Sequence, residues 1–89
     1  MLDFYFTNQF KKDLKLMEKR RKNIDKLFEI MALLIMGEQL PEQCREHKLH
    51  GDLEGFWDCH IEGDWVLLYQ LDEGKKVTFA YTGTHSDYI

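Results

Sequence analysis

The chain of 89 residues is poor in the residue types that mark several protein classes. It has two cysteines and one proline, and the cysteines, Cys44 and Cys59, form neither a CxxC motif nor a zinc-ligand spacing. The apolar run at residues 31–36 is far shorter than the roughly 20 residues of a membrane-spanning helix. We expect no signal peptide before the first charged helix. We therefore expect a cytoplasmic protein with reduced thiols and no membrane contact.

Positive charge is scarce in the second half of the chain. The net charge of −4 argues against a general nucleic-acid binder. Residues 1–36 carry eight lysines and arginines against five acids, whereas residues 37–89 carry four against eleven, and none lies between Lys48 and Lys75. The basic first third could steer a polyanion through its local field. A solvated helix face explains the same lysines equally well.

Hydrophobic periodicity predicts a strand and then a helical hairpin in the first part of the chain. Residues 2–6 alternate, with Leu2, Phe4 and Phe6 on one side, which is typical of a half-buried strand. Thr7 or Asn8 can cap the helix that follows. Apolar residues then recur at helical spacing over residues 10–17 and 24–35, and Gly37 suits a left-handed helix end.

Three further strands are predicted near the C-terminus. Residues 38–55 have no clear period and read as a connection with one helical turn. Residues 56–62, 65–71 and 75–82 are separated by short turns, and Val77, Phe79 and Tyr81 are expected on one side of the last strand. We predict a single α+β domain over residues 1–89, in which a strand, a helical hairpin and a three-stranded antiparallel meander form a sheet packed on two helices.

Alternation also predicts which residues of the first meander strand could form a site. Trp57, Cys59 and Ile61 should point inward, so that Asp58 and His60 share the outward face. Histidine is the side chain whose ordinary pKa lies nearest neutrality, and histidines gathered with carboxylates are typical of proton transfer or metal binding.

Two more histidines could join that face. His47 lies in the connection before the strand, and His85 follows the last strand. Cleavage of RNA by internal transfer needs a base for the 2′-hydroxyl and an acid for the 5′-oxygen, and imidazoles with an orienting carboxylate supply both. The spacing of the histidines matches no recognised zinc motif, so we expect no metal. Surface histidines without chemistry are the alternative, which we favour for His50.

These residues occur in an order that resembles the RelE/ParE toxin superfamily, and within it the YafQ-type messenger-RNA interferases of bacterial toxin–antitoxin pairs. The resemblance covers essentially the whole chain. Its motifs are Phe10-Lys11-Lys12-Asp13-Leu14-Lys15, His47-x-Leu49-x-Gly51, Gly55-x-x-Asp58-x-His60-x-x-x-Asp64-Trp65-x-Leu67-x-Tyr69 and Thr82-Gly83-Thr84-His85.

The resemblance implies an endoribonuclease that enters the ribosomal A site and cuts bound mRNA without a metal or cofactor. It also implies a cognate antitoxin protein, and operator DNA would be contacted only through that antitoxin. The expected catalytic residues are His47, Asp58, His60, Asp64 and His85. The expected substrate contacts are Lys48, Trp65 and Tyr81.

The sequence departs from the family pattern at two places. Tyr81 stands where the family usually has an arginine, and a tyrosine lacks the charge and fork of a guanidinium. We therefore expect a weaker enzyme, or alternatively an inactive module that serves as antitoxin partner and co-repressor. A gyrase-poisoning relative is a third hypothesis, but it has no use for the histidines. The final residue, Ile89, replaces a frequent aromatic, with Tyr88 adjacent.

Overall fold

A strand and a helical hairpin precede four further strands in the computed structural model. The structure describes residues 1–88, of which Tyr88 is described by its backbone alone. The expectation on the final residue therefore lies outside the described residues. In chain order the elements are β1 (Asp3–Phe6), α1 (Asn8–Lys19), α2 (Ile24–Met36), β2 (His47–Lys48), β3 (Trp57–Glu62), β4 (Trp65–Asp72), β5 (Lys76–Thr84) and α3 (His85–Tyr88). The predicted α+β fold is confirmed.

The strands form one sheet in the order β1-β5-β4-β3-β2. β1 pairs with β5 in parallel, and the remaining pairs are antiparallel. Two features of residues 38–55 were not predicted: a second short 3-10 turn and the strand β2, which is too short to show alternation. β2 adds an edge to the meander and places His47 directly opposite Asp58.

Caps at the helix ends are as the sequence indicates. The Thr7 hydroxyl oxygen accepts from the Phe10 amide at 3.0 Å and donates to the Ala80 carbonyl at 2.7 Å. One side chain thus satisfies one of the free amides in the first turn of α1 and ties that helix to β5. Gly37 adopts a left-handed φ of 73° after α2, which only glycine adopts without cost.

The hydrophobic core lies between the helices and one face of the sheet. Its buried members include Phe10, Met17, Leu27, Leu34, Cys59, Ile61, Trp65, Leu67, Tyr69, Val77 and Phe79. The prediction that β1 is half-buried is wrong, because Phe4 and Phe6 are 46% and 41% exposed. β1 is an edge strand, and the Phe6 ring covers Phe10 and Phe79 only from outside, at centroid distances of 5.5 and 5.7 Å.

A β-bulge in β5 changes which face the end of that strand presents. Leu68 pairs with Tyr81 but Tyr69 pairs with Phe79, so Ala80 is an extra residue without an opposite partner. An inserted residue reverses the alternation beyond it. Tyr81 therefore lies on the face opposite to Phe79, and the prediction that both share a side with Val77 is wrong.

None of the helices formed by residues 1–88 has the length and apolar character that crossing a bilayer requires.

Candidate active site

The site is on the sheet face that points away from the core, and its centre is Asp58. Leu68 is its neighbour on β4, and His47 is its neighbour on β2. Alternation correctly predicted that Asp58 and His60 share this face, since Cys59 and Ile61 are in the core. Although it lies on the outward face, Asp58 is buried, with 4% of its surface exposed.

Two imidazoles flank the Asp58 carboxylate. Its Oδ2 atom lies 3.8 Å from Nε2 of His47 and 3.6 Å from Nε2 of His85. Both histidine side chains keep about half of their surface exposed, whereas the carboxylate between them is buried. Substrate can therefore reach the imidazoles, while Asp58 is shielded by them.

Main-chain contacts set the orientation of these two histidines. Nδ1 of His47 lies 2.9 Å from the carbonyl of Arg45, which can only accept. Nδ1 therefore carries the proton, and Nε2 of the neutral ring is an acceptor. The amide of His85 donates to the carbonyl of Asp64 at 3.2 Å, which holds the start of α3 against the turn between β3 and β4.

His60 completes the cluster from the strand that carries Asp58. Its ring meets the ring of His85 edge to face, with centroids 5.3 Å apart. Nδ1 of His60 and Oδ1 of Asp58 are buried and have no hydrogen-bond partner among the described residues. Buried polar atoms without partners are costly and uncommon. The pair is therefore a candidate functional feature.

Three of these residues could also hold a metal ion. Asp58, His60 and His85 each offer one ligand atom, and the three atoms lie within 4.8 Å of one another. Two imidazoles and a carboxylate suit a transition metal such as zinc. The residues are scattered along the chain, so sequence spacing could not have indicated this convergence.

Asp64 contributes differently from the expectation. It lies exposed in the turn after β3. Within residues 1–88 its carboxylate forms no hydrogen bond or ion pair with a histidine, and its contact with His85 is through the main chain. Among the described residues, no side-chain contact therefore supports the expectation that the Asp64 carboxylate orients an imidazole.

Two of the expected substrate contacts, Lys48 and Trp65, do not lie on the sheet face that carries the imidazoles. Lys48 pairs across the sheet with Trp57, and its Nζ lies 5.3 Å from the centre of that ring, on the opposite face of β2 from His47. Trp65 is fully buried, and its indole N–H donates to the Thr82 hydroxyl at 2.9 Å. An indole without exposed surface cannot stack on a base.

Tyr81 does lie on the site face. Tyr81 is paired with Leu68, and Leu68 is paired with Asp58. Two strand spacings of about 5 Å each therefore separate the backbone of Tyr81 from that of Asp58. Its ring is half-buried and lies 6.0 Å from that of Phe56. Sequence alternation alone placed this residue on the wrong face because the bulge at Ala80 was not foreseen.

Sequence reasoning gave no role to Glu46, which fixes the segment before β2. The hydroxyl of the buried Tyr69 donates to Oε2 of Glu46, and partial burial raises the pKa of that carboxyl. The Glu46 side chain thus points to the core face of the sheet, whereas the side chain of the adjacent His47 points to Asp58. Only the tertiary contact with Tyr69 distinguishes this acid from its neighbours.

Asp87 was also missed. It accepts from the amide of Thr84 at 2.7 Å, and its carboxylate lies 3.2 Å from Nη1 of Arg20. The Thr84 amide, followed by the Arg20 guanidinium, lowers the pKa of this carboxyl. Neither contact leaves a mark in a single sequence.

The cysteines lie apart from this chemistry. Both are free and buried. Burial raises the pKa of the Cys59 thiol, which belongs to the core rather than to the site face. It is therefore not a candidate nucleophile.

Two helices pack on one face of a small sheet, and an aspartate and three histidines lie on the other; this α+β fold matches solved structures of bacterial toxins. The chain belongs to the YafQ family of bacterial toxins of type II toxin–antitoxin systems, whose sequence profile matches residues 2–89.

Relatives support the same assignment. The mRNA interferase toxin YafQ of Escherichia coli (strain K12) is 41% identical over 85 residues, which are 94% of this chain and 91% of the relative. The crystal structure of the E. coli DinJ–YafQ complex matches with a TM-score of 0.92 at 39% identity and covers 100% of this chain and 99% of that one. A metal-bound toxin from Helicobacter pylori matches with a TM-score of 0.91 at 28% identity over 100% of both chains.

The buried position of Trp65 leads to a stability prediction. Thr82→Val removes the hydroxyl that accepts from Trp65 and donates to the Val66 carbonyl at 3.0 Å. We expect a loss of about 1–3 kcal/mol in the free energy of unfolding, because the indole N–H stays buried without a partner. Urea denaturation measures this, and Thr78→Val on the same strand is the matched control. Equal midpoints for both variants would contradict a structural role for Trp65.

Proposed function

We propose that the chain is an endoribonuclease that cleaves mRNA in the ribosomal A site and that a cognate antitoxin neutralises it. The observation that best supports this proposal is that two imidazoles flank one buried carboxylate. Nε2 of His85 and Nε2 of His47 lie 3.6 and 3.8 Å from Oδ2 of Asp58. The names of the E. coli relatives support this choice: one is called an mRNA interferase, and another was crystallised with an antitoxin.

The reaction needs two proton transfers. One imidazole takes the proton of the 2′-hydroxyl, whose oxygen then attacks the neighbouring phosphorus. The second imidazole gives a proton to the 5′-oxygen as its bond to phosphorus breaks. A 2′,3′-cyclic phosphate and a 5′-hydroxyl are the products, and each transfer contributes about 10²–10⁴ in rate.

His47 and His85 are the best placed for these two roles. Both keep exposed imidazole surface, and both are oriented by a fixed main-chain carbonyl or amide contact and by Asp58. The Asp58 carboxylate lies between them and stabilises whichever ring is protonated at a given step. His60 restricts the rotation of the His85 ring through its edge contact.

The proposed chemistry does not require a metal. Asp58, His60 and His85 would hold a divalent ion if one bound, and that ion would polarise a phosphate oxygen. The same binding would occupy His85 and withdraw it from proton transfer. We therefore propose that the imidazoles act as acid and base with no ion between them.

The charge pattern fits a protein that meets nucleic acid through other molecules. With a net charge of −4 the chain has little general affinity for DNA. We propose that operator DNA is contacted only through the antitoxin, and that the ribosome presents the message.

Expression of the chain without an antitoxin is expected to arrest bacterial growth, because translated messages are cut. In a purified translation system, primer extension should reveal new 5′ ends in the message only when ribosomes are present. Protein freed of transition metals with a chelator should be equally active in magnesium buffer.

His85→Ala is the matched loss-of-function variant, and His50→Ala, outside the cluster, is the control. Growth arrest without new 5′ ends would instead favour the second candidate function, an inactive partner of the antitoxin, which the replacement of the family arginine by Tyr81 favours. Activity that depends on an added transition metal would overturn the metal-free chemistry.

The acid and the base can be separated with a modified substrate. RNA with sulfur in place of the 5′-oxygen has a leaving group that needs no proton. We expect His47→Ala and His85→Ala each to lower kcat by about 10²–10⁴ on ordinary RNA. Only the variant that lacks the acid should recover on the sulfur substrate. Recovery of both variants, or of neither, would contradict one role for each imidazole.

Arg45 is the best candidate for the missing positive charge. Its carbonyl contacts His47, and its side chain lines one cavity together with His60 and Lys26. We propose that its guanidinium contacts the scissile phosphate in place of the arginine that Tyr81 replaces. Arg45→Gln should lower kcat/KM by about 10²-fold, as loss of one oxyanion contact does.

Lys48→Gln is the control for that variant, because Lys48 lies three residues away on the opposite sheet face. It should change kcat/KM by no more than about twofold. Equal losses in both variants would mean that Arg45 acts only through general electrostatic attraction.

A further inference from the structure

The short turn that carries His85 is held by the carboxylate of Asp87. Oδ2 of Asp87 accepts from the amide of Thr84 at 2.7 Å and from its hydroxyl at 3.0 Å. The Arg20 guanidinium meets the same carboxylate with both terminal nitrogens, at 3.2 and 3.5 Å. The carboxylate thus joins the end of α1, through Arg20, to the end of β5, through Thr84.

Gly83 leaves the space that this carboxylate occupies. A Cβ atom at Gly83 would lie 2.7 Å from Oδ2 of Asp87 and 3.4 Å from its Cβ. The first distance is shorter than van der Waals contact permits, so a side chain there would displace the carboxylate. Glycine is therefore needed at this position for the close approach of Asp87.

We propose that Asp87 is a positioning residue that holds His85 in place for proton transfer. The amide of His85 is already bonded to the Asp64 carbonyl at 3.2 Å. Asp87 closes the other end of the same turn, so the imidazole is directed at Asp58 and at His60 from a backbone fixed on both sides. This inference rests on the catalytic role proposed for His85.

The contacts to Thr84 carry most of this effect. Hydrogen bonds to an ionised acceptor are shorter and stronger than neutral ones. The ion pair with Arg20 is about one-third exposed on both sides, and exposed pairs contribute little. Arg20 therefore supports the carboxylate, whereas Thr84 is the group that the carboxylate fixes.

The test compares kcat and KM of Asp87→Ala with those of the wild-type protein in the ribosome-dependent assay. We expect kcat to fall about 10- to 100-fold, as misplacement of a catalytic group by about 1 Å does, with KM within about twofold. Arg20→Ala should lower kcat by only about two- to threefold. Asp72→Ala is the matched control, because it breaks a similar ion pair with Lys76, 3.6 Å long, at the other end of β4.

A spectroscopic measurement separates positioning from general destabilisation. The rings of His60 and His85 are 5.3 Å apart and should give a nuclear Overhauser contact in the folded protein. Asp87→Ala should lose that contact while the core resonances stay in place. An unchanged contact together with unchanged kcat would overturn the proposal.

A double-mutant cycle tests the close approach directly. Gly83→Ala alone should lower kcat about as much as Asp87→Ala, because the added methyl group displaces the carboxylate. In the Asp87→Ala background it should add no more than about a twofold loss. Fully additive losses would overturn the role assigned to Gly83 and Asp87.

These outcomes are distinguishable from failure of the proposed function. If the wild-type chain cleaves no message, the catalytic proposal fails, and the ring contact between His60 and His85 still reports whether Asp87 sets the turn. If His85→Ala is inactive but Asp87→Ala retains full kcat, cleavage stands and the positioning role is refuted.

Discussion

A buried carboxylate between two imidazoles is the interaction on which this site depends. Removing a carboxylate from water is expensive unless charges or hydrogen-bond donors replace the solvent. Asp58 is almost completely buried, and the Nε2 atoms of His47 and His85 lie 3.8 and 3.6 Å from its Oδ2 atom. The fold therefore has to bring both histidine side chains next to one carboxylate, and much of the local structure contributes to that arrangement.

Each histidine reaches Asp58 from a different edge of the fold. His47 stands on the edge strand β2, where its ring is fixed by the Arg45 carbonyl and where Glu46 is anchored to Tyr69 from the core. His85 follows β5, and its backbone is bonded to Asp64. The site is thus formed by the closing of the sheet, because residues 47, 58 and 85 are neighbours only once β2, β3, β4 and β5 are in register.

The two faces of the sheet have separate tasks, and a buried hydrogen-bonded chain fixes the strand end that leads to the site. The helix face is an apolar core, whereas the open face holds the charges and imidazoles. At the start of β4 the Trp65 indole N–H donates to the Thr82 hydroxyl, which in turn donates to the Val66 carbonyl inside the protein. This chain fixes the C-terminal part of β5 just before the turn that carries His85, so core packing also sets the geometry of the open face.

The sequence by itself determined the α+β class, a helix start capped by Thr7 or Asn8, a helix end at Gly37, and the shared face of Asp58 and His60. These follow from local rules: capping chemistry, left-handed glycine, and the two-residue period of a strand. It did not determine the strand β2 or the face of Tyr81. A two-residue strand has no period, and a one-residue bulge leaves no mark in composition.

Only the tertiary structure decided how deeply each group is buried and which distant residues meet. Neighbours far away in the chain decide the burial of Asp58 and Trp65, the face on which Lys48 lies, and the contacts of Glu46 and Asp87. Burial and pairing are properties of the packed sheet, whereas periodicity is a property of a single strand. That difference is why motifs could name the histidines, but only the fold could place them around one carboxylate.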